Sequence, residues 1–481
     1  MWHTALMLFF KKKPVTRLSV FNTASKSKEV FEPLSAREVK LYSCGPTVYD
    51  YAHIGNLRSY VFSDIVRRTF EYAGYRVRQV VNVTDFGHLV GDADDTEDKM
   101  TLALKREGKE FTMENMHALA GTYLSAFVND LREMNVLLPT VMPRASEHVD
   151  GMRAYVEALL QKHLAYKTSD GIYFDVQKFP GYGALGGSSS VDHSRVGVSA
   201  EKKNPADFAL WKFNPTLGWD APWGKGFPGW HIECTAMATQ YLGKTFDIHT
   251  GGVDHIAIHH NNERAQAEAA NGKPYVRYWL HHEFITVDGV RIGKSEGNAI
   301  TLTQLSDRGI SPLAYRYWLL TAHYRQKVNF TWEAVSSAQT ALTRAWKTFS
   351  DLRGSGSVVG EYRERFERAL YDDFNTAEAL AVLWELLKDD AVASGDKKAT
   401  VLAFDRVLGI GFGSAASRME RTTVKVVSGS DIPAHVAALV EAREAARAEK
   451  NFAKADELRS QIANEGFVLE DSPEGPVVRR S

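Results

Sequence analysis

The sequence predicts an α/β protein built on a parallel sheet, and three observations carry that expectation. "EVKLYSC" (38–44) alternates apolar and polar residues and runs into the turn "CGPT", the mark of a strand. His53 to Ala73 then sets Leu57, Val61 and Ile65, with Phe62, Val66 and Phe70, at helical spacing and stops at Gly74. "YRVRQVVNVTD" follows as a β-branched run suited to a buried strand. Such a β–loop–α–β start calls for parallel strands joined by right-handed crossovers, the Rossmann arrangement. In that arrangement phosphates are met at the turn between first strand and first helix, here "CGPTVYDYAHIGN" (44–56).

The remaining elements follow in order. Residues 1–17 read as an N-terminal extension. Their apolar run precedes Lys11–Lys13, the reverse of a secretory signal, and no small-residue cleavage site follows. Residues 18–125 form the first half of the sheet domain. The stretch 97–165 is mostly helical in pattern, and an inserted domain is expected over 126–210. Within it, "FPGYGALGGSSSVDHSRVGVSAEKKNP" reads as a loop-rich region crowded with Gly and Ser. The sheet resumes over 211–285, with "GWHIECTAMATQYLG" as a helix, "KTFDIHTGG" as a strand and "HHNNERAQAEAAN" as a helix. A Gly-flanked loop opens the region 286–330. Helix follows helix over 331–412, 413–431 is a linker, and 432–481 is a small helical tail that ends in a short turn-rich piece.

The bulk numbers exclude more than they select. The chain has 481 residues, a formal net charge of -1, and is 44% hydrophobic and 24% charged. Nothing global marks a nucleic-acid binder, although a local face on a neutral protein could still hold RNA. Two cysteines rule out a disulfide scaffold and fit a reducing, cytoplasmic compartment. No apolar run approaches the length of a membrane span, so no membrane role is expected.

Those two cysteines, Cys44 and Cys234, raise the question of a metal. His259 and Glu263 stand four apart, on one face of a helix. Together the four offer two thiolates, an imidazole and a carboxylate, each a suitable ligand for Zn2+. The spacing is not that of a zinc finger, and His260 could equally be the ligand, or neither histidine; two buried, inert thiols are the plain alternative. His53 and Asn56 sit at a predicted helix N-terminus, where backbone N–H groups and the dipole attract phosphate; a simple capping turn is the rival reading. Lys294, between Gly293 and Gly297, could close over a triphosphate and stabilise leaving pyrophosphate, or be a solvated loop lysine.

Taken together, Cys44, "HIGN" (53–56), "GWHIEC" (229–234), "HHNNE" (259–263), "RIGKS" (291–295), "AHYR" (322–325) and "DDFNTAEAL" (372–380) run in the order found in cysteinyl-tRNA synthetases. The chain resembles that family, a class I aminoacyl-tRNA synthetase family, from about residue 18 to the end. The resemblance implies a Rossmann-type class I synthetase catalytic domain with an inserted domain, a helical bundle, and a small C-terminal anticodon-binding domain. It implies zinc, one per chain, on Cys44, Cys234, His259 and Glu263, with the substrate thiolate bound to the metal. Zinc then selects cysteine over serine by softness and acidity, where a packed pocket separates near-isosteres only weakly. It implies ATP with Mg2+ at Pro46, Thr47, His53, Gly55, Asn56, Asp254, Lys294 and Ser295, with His53, Asn56 and Lys294 as the catalytic set. Trp230 would wall the cysteine pocket, and Asp254 would hold the ribose or the amino group. The partners implied are L-cysteine, ATP and tRNA(Cys), and a monomer is expected.

The signature loop reads Arg291-Ile-Gly-Lys-Ser295 where the family has Lys-Met-Ser-Lys-Ser, so Lys294 and the leading charge are kept. "HIGN" ends in Asn where many relatives have His, and "FGHLVGDADDTEDKM" is longer than the common form. In the tail, Arg443 and Arg447 share a helix face with Phe452 nearby to stack on an unpaired base. The resemblance implies Arg447, Phe452, Asp456 and Asp471 as anticodon contacts, and a Trp frequent near the end is replaced around Val478. Two rivals remain: a mycothiol-type cysteine ligase, which shares the catalytic half but lacks a unit like 432–481, and an inactive paralogue that binds RNA or a partner.

Overall fold

The computed structural model describes residues 17–87, 99–186, 201–293, 297–414, 433–448, 451–465, 467–472 and 475–480. A hairpin, β1 (Ser19–Asn22) and β2 (Ser27–Val30), leads to β3 (Glu38–Ser43), α1 (Ile54–Tyr72) and β4 (Arg76–Val81). After β4 come α2 (Lys99–Arg106), α3 (Met113–Glu133) and α4 (Val149–Gln161). Next are four strands, β5 (Ala165–Lys167), β6 (Gly171–Phe174), β7 (Phe208–Phe213) and β8 (Gly226–Pro228). The chain then returns to the main sheet through α5 (Trp230–Leu242), β9 (Phe246–Gly252), α6 (Asn261–Asn271) and β10 (Val276–His282).

The four core strands lie in the order β10-β9-β3-β4, and every neighbouring pair is parallel. From β3 the chain moves to β4 on one side; β9 and β10 are added on the other. The topology therefore reverses between β3 and β9, and ligands of open parallel sheets bind in the crevice beyond the carboxyl ends of such a pair. Helix α1 covers the sheet through Leu57, Val61, Ile65, Val66 and Phe70, none more than 3% exposed. Each such burial contributes on the order of 1.5–3 kcal/mol.

The second half carries β11 (Ile285–Val287), β12 (Val290–Arg291), α7 (Leu302–Asp307), α8 (Pro312–Leu320) and β13 (Val328–Phe330), then the bundle α9 (Trp332–Asp351), α10 (Gly360–Tyr371), α11 (Thr376–Lys388) and α12 (Ser394–Leu408). Two buried charge clusters fasten these helices to the sheet domain. Asp64 on α1 lies 2.7 Å from Arg68 and 2.6 Å from Arg316 of α8, and accepts the Leu137 N–H at 2.9 Å. Asp373 and Phe374 hold left-handed backbone (φ 62° and 56°). The Asp373 carboxylate there accepts from Tyr324 (2.7 Å), Arg325 (2.8 Å) and the Phe21 N–H (2.8 Å), so the "AHYR" and "DDFNTAEAL" motifs meet.

The structure adds to the sequence reading in two places. A four-stranded antiparallel sheet, β5-β6-β7-β8, flanks the loop-rich stretch 179–205, and the sequence reading names none of its strands. The turn-rich end of the tail is a hairpin, Phe467–Ser472 paired with Gly475–Arg480, beside the helices Ala434–Ala448 and Phe452–Asn464. No described helix is long and apolar enough to cross a membrane.

Candidate active site and metal centre

A cavity of about 360 Å³ opens at the reversal between β3 and β9. One wall is the turn 44–56, which is anchored at every stage. The Gly45 N–H donates to Asn82 Oδ1 at 2.7 Å, and a Cβ at Gly45 would lie 1.5 Å from the Asn82 carbonyl oxygen, so only glycine fits. The Val48 N–H donates to the Thr84 carbonyl at 3.1 Å and the Thr84 N–H to the Pro46 carbonyl at 3.0 Å, which extends the turn as a short strand beside the continuation of β4. At its far end His53 caps α1. Its Nδ1 accepts the Asn56 N–H, Asn56 Oδ1 accepts the His53 N–H, both at 3.2 Å, and the capping box fixes both side chains.

The loop after β12 rests on this cap. The Ile54 N–H donates to the Ile300 carbonyl at 2.8 Å, and a Cβ at Gly55 would stand 2.8 Å from Ile292. Gly55 thus lets Arg291 and Ile292 seat at the cavity edge. Pro46, Thr47, His53, Gly55, Asn56, Asp254 and Trp230 all line the cavity; Lys294 and Ser295 lie outside the described residues.

At its base the two cysteines meet. One ligand atom each from Cys44, Cys234, His259 and Glu263 lie within 4.8 Å of one another. A π-helical turn, Ile256–His260, ahead of α6 delivers His259 above Glu263, with Nε2 to Oε1 at 2.9 Å. A second set shares two of these residues: Cys44, His249, His260 and Glu263 also converge within 4.8 Å. His260 Nε2 is 3.3 Å from Cys44 Sγ, and the His249 Nε2–H donates to Glu263 Oε2 at 3.0 Å. His260 Nδ1 lies 2.7 Å from His281 Nε2. Thiol, imidazole and carboxylate donors in one buried cluster suit zinc, and the outer histidines are placed to orient them.

The electrostatics agree with such a cluster. The Cys44 side chain, through hydrogen bonding, leads the effects that lower the Cys234 thiol to about 6, against the cost of burial. Burial drives the Cys44 thiol well up. Burial opposes a charge on His259, but Glu263 and Cys234 outweigh it and raise the imidazole to about 10. Burial would raise Glu263, yet His249 and His259 hold it well below the usual carboxylate range. Burial pushes His255 and His282 down to about 4, so both are neutral imidazoles.

Sequence reasoning missed His249, His255, His281 and His282. The signal was there: six of the chain's 16 histidines (His249, His255, His259, His260, His281, His282) fall between residues 249 and 282. His255 lines the cavity, and its buried Nδ1 has no hydrogen-bond partner among the described residues. Trp230 stands beside this cluster, its ring 4.4 Å from that of His259.

In the tail, Arg447 lies on the helix Ala434–Ala448 and Asp456 is exposed on the next helix; the side chains of Phe452 and Asp471 lie outside the described residues. Arg443 is 4% exposed, so it packs inward and does not share a free face with Arg447.

Residues 30–340 match the family model of the class I (C) tRNA synthetase catalytic domain, residues 365–410 a DALR domain, and residues 429–479 the cysteinyl-tRNA ligase anticodon-binding domain. A cysteine--tRNA ligase of Burkholderia lata is 45% identical over 95% of this chain and 96% of its own length. One from Novosphingobium aromaticivorans is 40% identical over 96% and 97%. A Mycobacterium tuberculosis methionyl-tRNA synthetase bound by methionyl-adenylate shares the fold, with a TM-score of 0.54 at 13% identity over 79% of this chain and 94% of that one. The switch-point cavity and its sheet are thus those of a class I aminoacyl-tRNA synthetase catalytic domain. Within that class the chain belongs to the cysteinyl-tRNA ligase family, and it is an aminoacyl-tRNA ligase.

Proposed function

We propose that this chain activates L-cysteine with ATP and transfers it to tRNA(Cys), and that zinc on Cys44, Cys234, His259 and Glu263 selects the amino acid. The observation that carries the reading is the convergence of those four ligand atoms at the sheet's switch point, one turn away from a capped helix N-terminus. Zinc held there supplies a soft Lewis acid that takes a thiolate and refuses a neutral hydroxyl, which separates cysteine from serine.

The chain's own residues do the rest. Trp230 closes the amino-acid side of the cavity. Asp254, after β9, holds the ribose or the ammonium group. The helix end at His53 and Asn56 receives phosphate through its dipole and N–H groups. The cysteine carboxylate then attacks the α-phosphate in line, pyrophosphate leaves, and Lys294 stabilises the charge that develops on it. In the second step the terminal ribose hydroxyl of the tRNA attacks the adenylate carbonyl, loses its proton and forms the cysteinyl ester, as the acyl–phosphate bond breaks and AMP leaves. Arg447, Phe452, Asp456 and Asp471 stand as the proposed anticodon contacts, in the unit 432–481 that a thiol-ligase would lack.

The test is cysteine-dependent ATP–pyrophosphate exchange, with serine as the competitor, followed by aminoacylation of total tRNA. Metal analysis should find about one zinc per chain. Exchange that did not distinguish cysteine from serine, or aminoacylation absent while exchange persists, would overturn the reading.

A further inference from the structure

Among the described residues that line the cavity, four are exposed: Tyr51, Asn56, Asp254 and Arg291. Three have work in the reaction above. Asn56 completes the helix cap, Asp254 follows β9, and Arg291 opens the signature loop. Tyr51 has none, yet it is 53% exposed at the cavity rim.

Its ring is not loose. It stands edge-on to Tyr123 of α3, centroids 5.0 Å apart and planes at 87°. The Tyr51 N–H donates to Asp50 Oδ1 at 2.8 Å, and Arg106 of α2 donates to Asp50 Oδ2 at 2.7 Å. Arg106 also donates to the Tyr123 hydroxyl at 3.0 Å, and that hydroxyl donates to Glu107 at 2.9 Å. Two helices therefore brace the turn from behind, and a solvent-facing aromatic surface is held at the rim. A fixed, exposed ring beside a nucleotide reaction is the geometry on which bases stack.

Two bases come to this site, the adenine of ATP and the last base of the tRNA. Where Asp254 holds the ribose, the first of its two assignments above, the sheet separates them. Asp254 lies past β9, on one side of β3. The turn that carries Tyr51 pairs, through Thr47 and Thr84, with the continuation of β4 on the other side. A nucleoside held by Asp254 sits on the β9 bank, and Tyr51 stands on the opposite one. We propose that Tyr51 is the stacking platform for the terminal base of the tRNA acceptor end in the transfer step. The proposal rests on the function proposed above and adds a positioning residue to its second half.

The experiment uses the full-length, zinc-loaded enzyme and separates the steps. Cysteine-dependent exchange reads the first; single-turnover transfer from preformed adenylate to tRNA reads the second. Tyr51→Ala should lower transfer by roughly 10- to 100-fold, the worth of one base–aromatic stack, and exchange by far less. Tyr51→Phe and Tyr51→Trp should restore transfer, because the ring and not the hydroxyl does the work. A tRNA whose last nucleotide lacks its base should lose as much on the wild-type enzyme and nothing more on Tyr51→Ala. Equal losses in both steps, with a normal melting curve, would assign the ring to ATP or to the shape of the turn and overturn the proposal. So would undiminished transfer, or failure of Tyr51→Phe to rescue. Absence of cysteine-dependent exchange in the wild-type enzyme would instead sink the underlying function, and this inference with it.

Discussion

Replacing His249 with Leu tests whether the outer histidines tune the metal site. His249 is fully buried, stacked on Trp279 with centroids 4.9 Å apart and 17° between planes. Its Nε2–H holds Glu263 Oε2 at 3.0 Å, while the Tyr275 hydroxyl stands farther from that oxygen, at 3.4 Å. Leu keeps most of the volume and removes the donor, so Glu263 keeps its place in the chain but loses the partner that aims it. Loss of such a partner costs about 10- to 100-fold in metal affinity, or roughly 1.4–2.7 kcal/mol. Competition against a chromogenic chelator measures this directly and requires no turnover. His249→Gln, whose amide can donate to the same oxygen, should recover part of the affinity. Zinc binding as tight in His249→Leu as in wild type, in a folded protein, would refute the outer-shell reasoning. It would also exclude the second donor set, in which His249 is itself a ligand, since there Leu would cost far more than 100-fold.

Three further outcomes are expected. Lys294→Ala should slow adenylate formation by on the order of 10²–10³, as for one lost transition-state donor, with cysteine binding little changed; unchanged exchange would dismiss it. Asp64→Ala leaves Arg316, fully buried, and Arg68 without their shared carboxylate, and should cost about 3–5 kcal/mol in urea denaturation; a cost under about 1 kcal/mol would mean water reaches the cluster. Burial, with Glu133 adding to it, lifts the Asp130 carboxyl to about 6. The folded state keeps a proton that the unfolded chain releases near pH 4, so stability falls as pH rises from about 4 to 6. Asp130→Asn should melt higher than wild type at pH 8 and level with it near pH 4; an equal gap at both values would contradict the sign.

How far the sequence could be read follows from how local each feature is. The run β3–α1–β4 was legible because its periods of 2 and 3.6 switch at a Gly-Pro turn and at Gly74. Helix α5 and strand β9 were legible for the same reason. The strands β5 to β8 were not: three of them have only three or four residues, which show no period, and the six of β7 (FALWKF) do not alternate. The proposed zinc ligands could be listed by type, but Cys44 and His259 meet only because β3 and β9 are adjacent, which is a fact of topology. His249 and His281 were passed over because each lies inside a strand, where a lone histidine reads as core. Arg443 was misjudged because the helix Ala434–Ala448 packs on its neighbour, and residue spacing alone does not say which face is covered.

On the assignments proposed above, one segment, the turn 44–56, serves a soft metal and a phosphate at once. Its first residue sits at the end of a sheet strand, where a side chain points into the switch-point crevice beside Cys234. Its later residues begin a helix, where the backbone carries partial positive charge. Between them the chain has no freedom to spread the two. Asn82 locks Gly45, Thr84 locks Val48, and Ile300 locks Ile54. The distance from thiolate to phosphate cradle is therefore set by the sheet and not by the substrates. On the proposed assignment this is what lets a cysteine held by its sulfur meet an α-phosphate held by the helix end. The two reactants arrive already aligned, and the entropy of aligning them is spent when the protein folds.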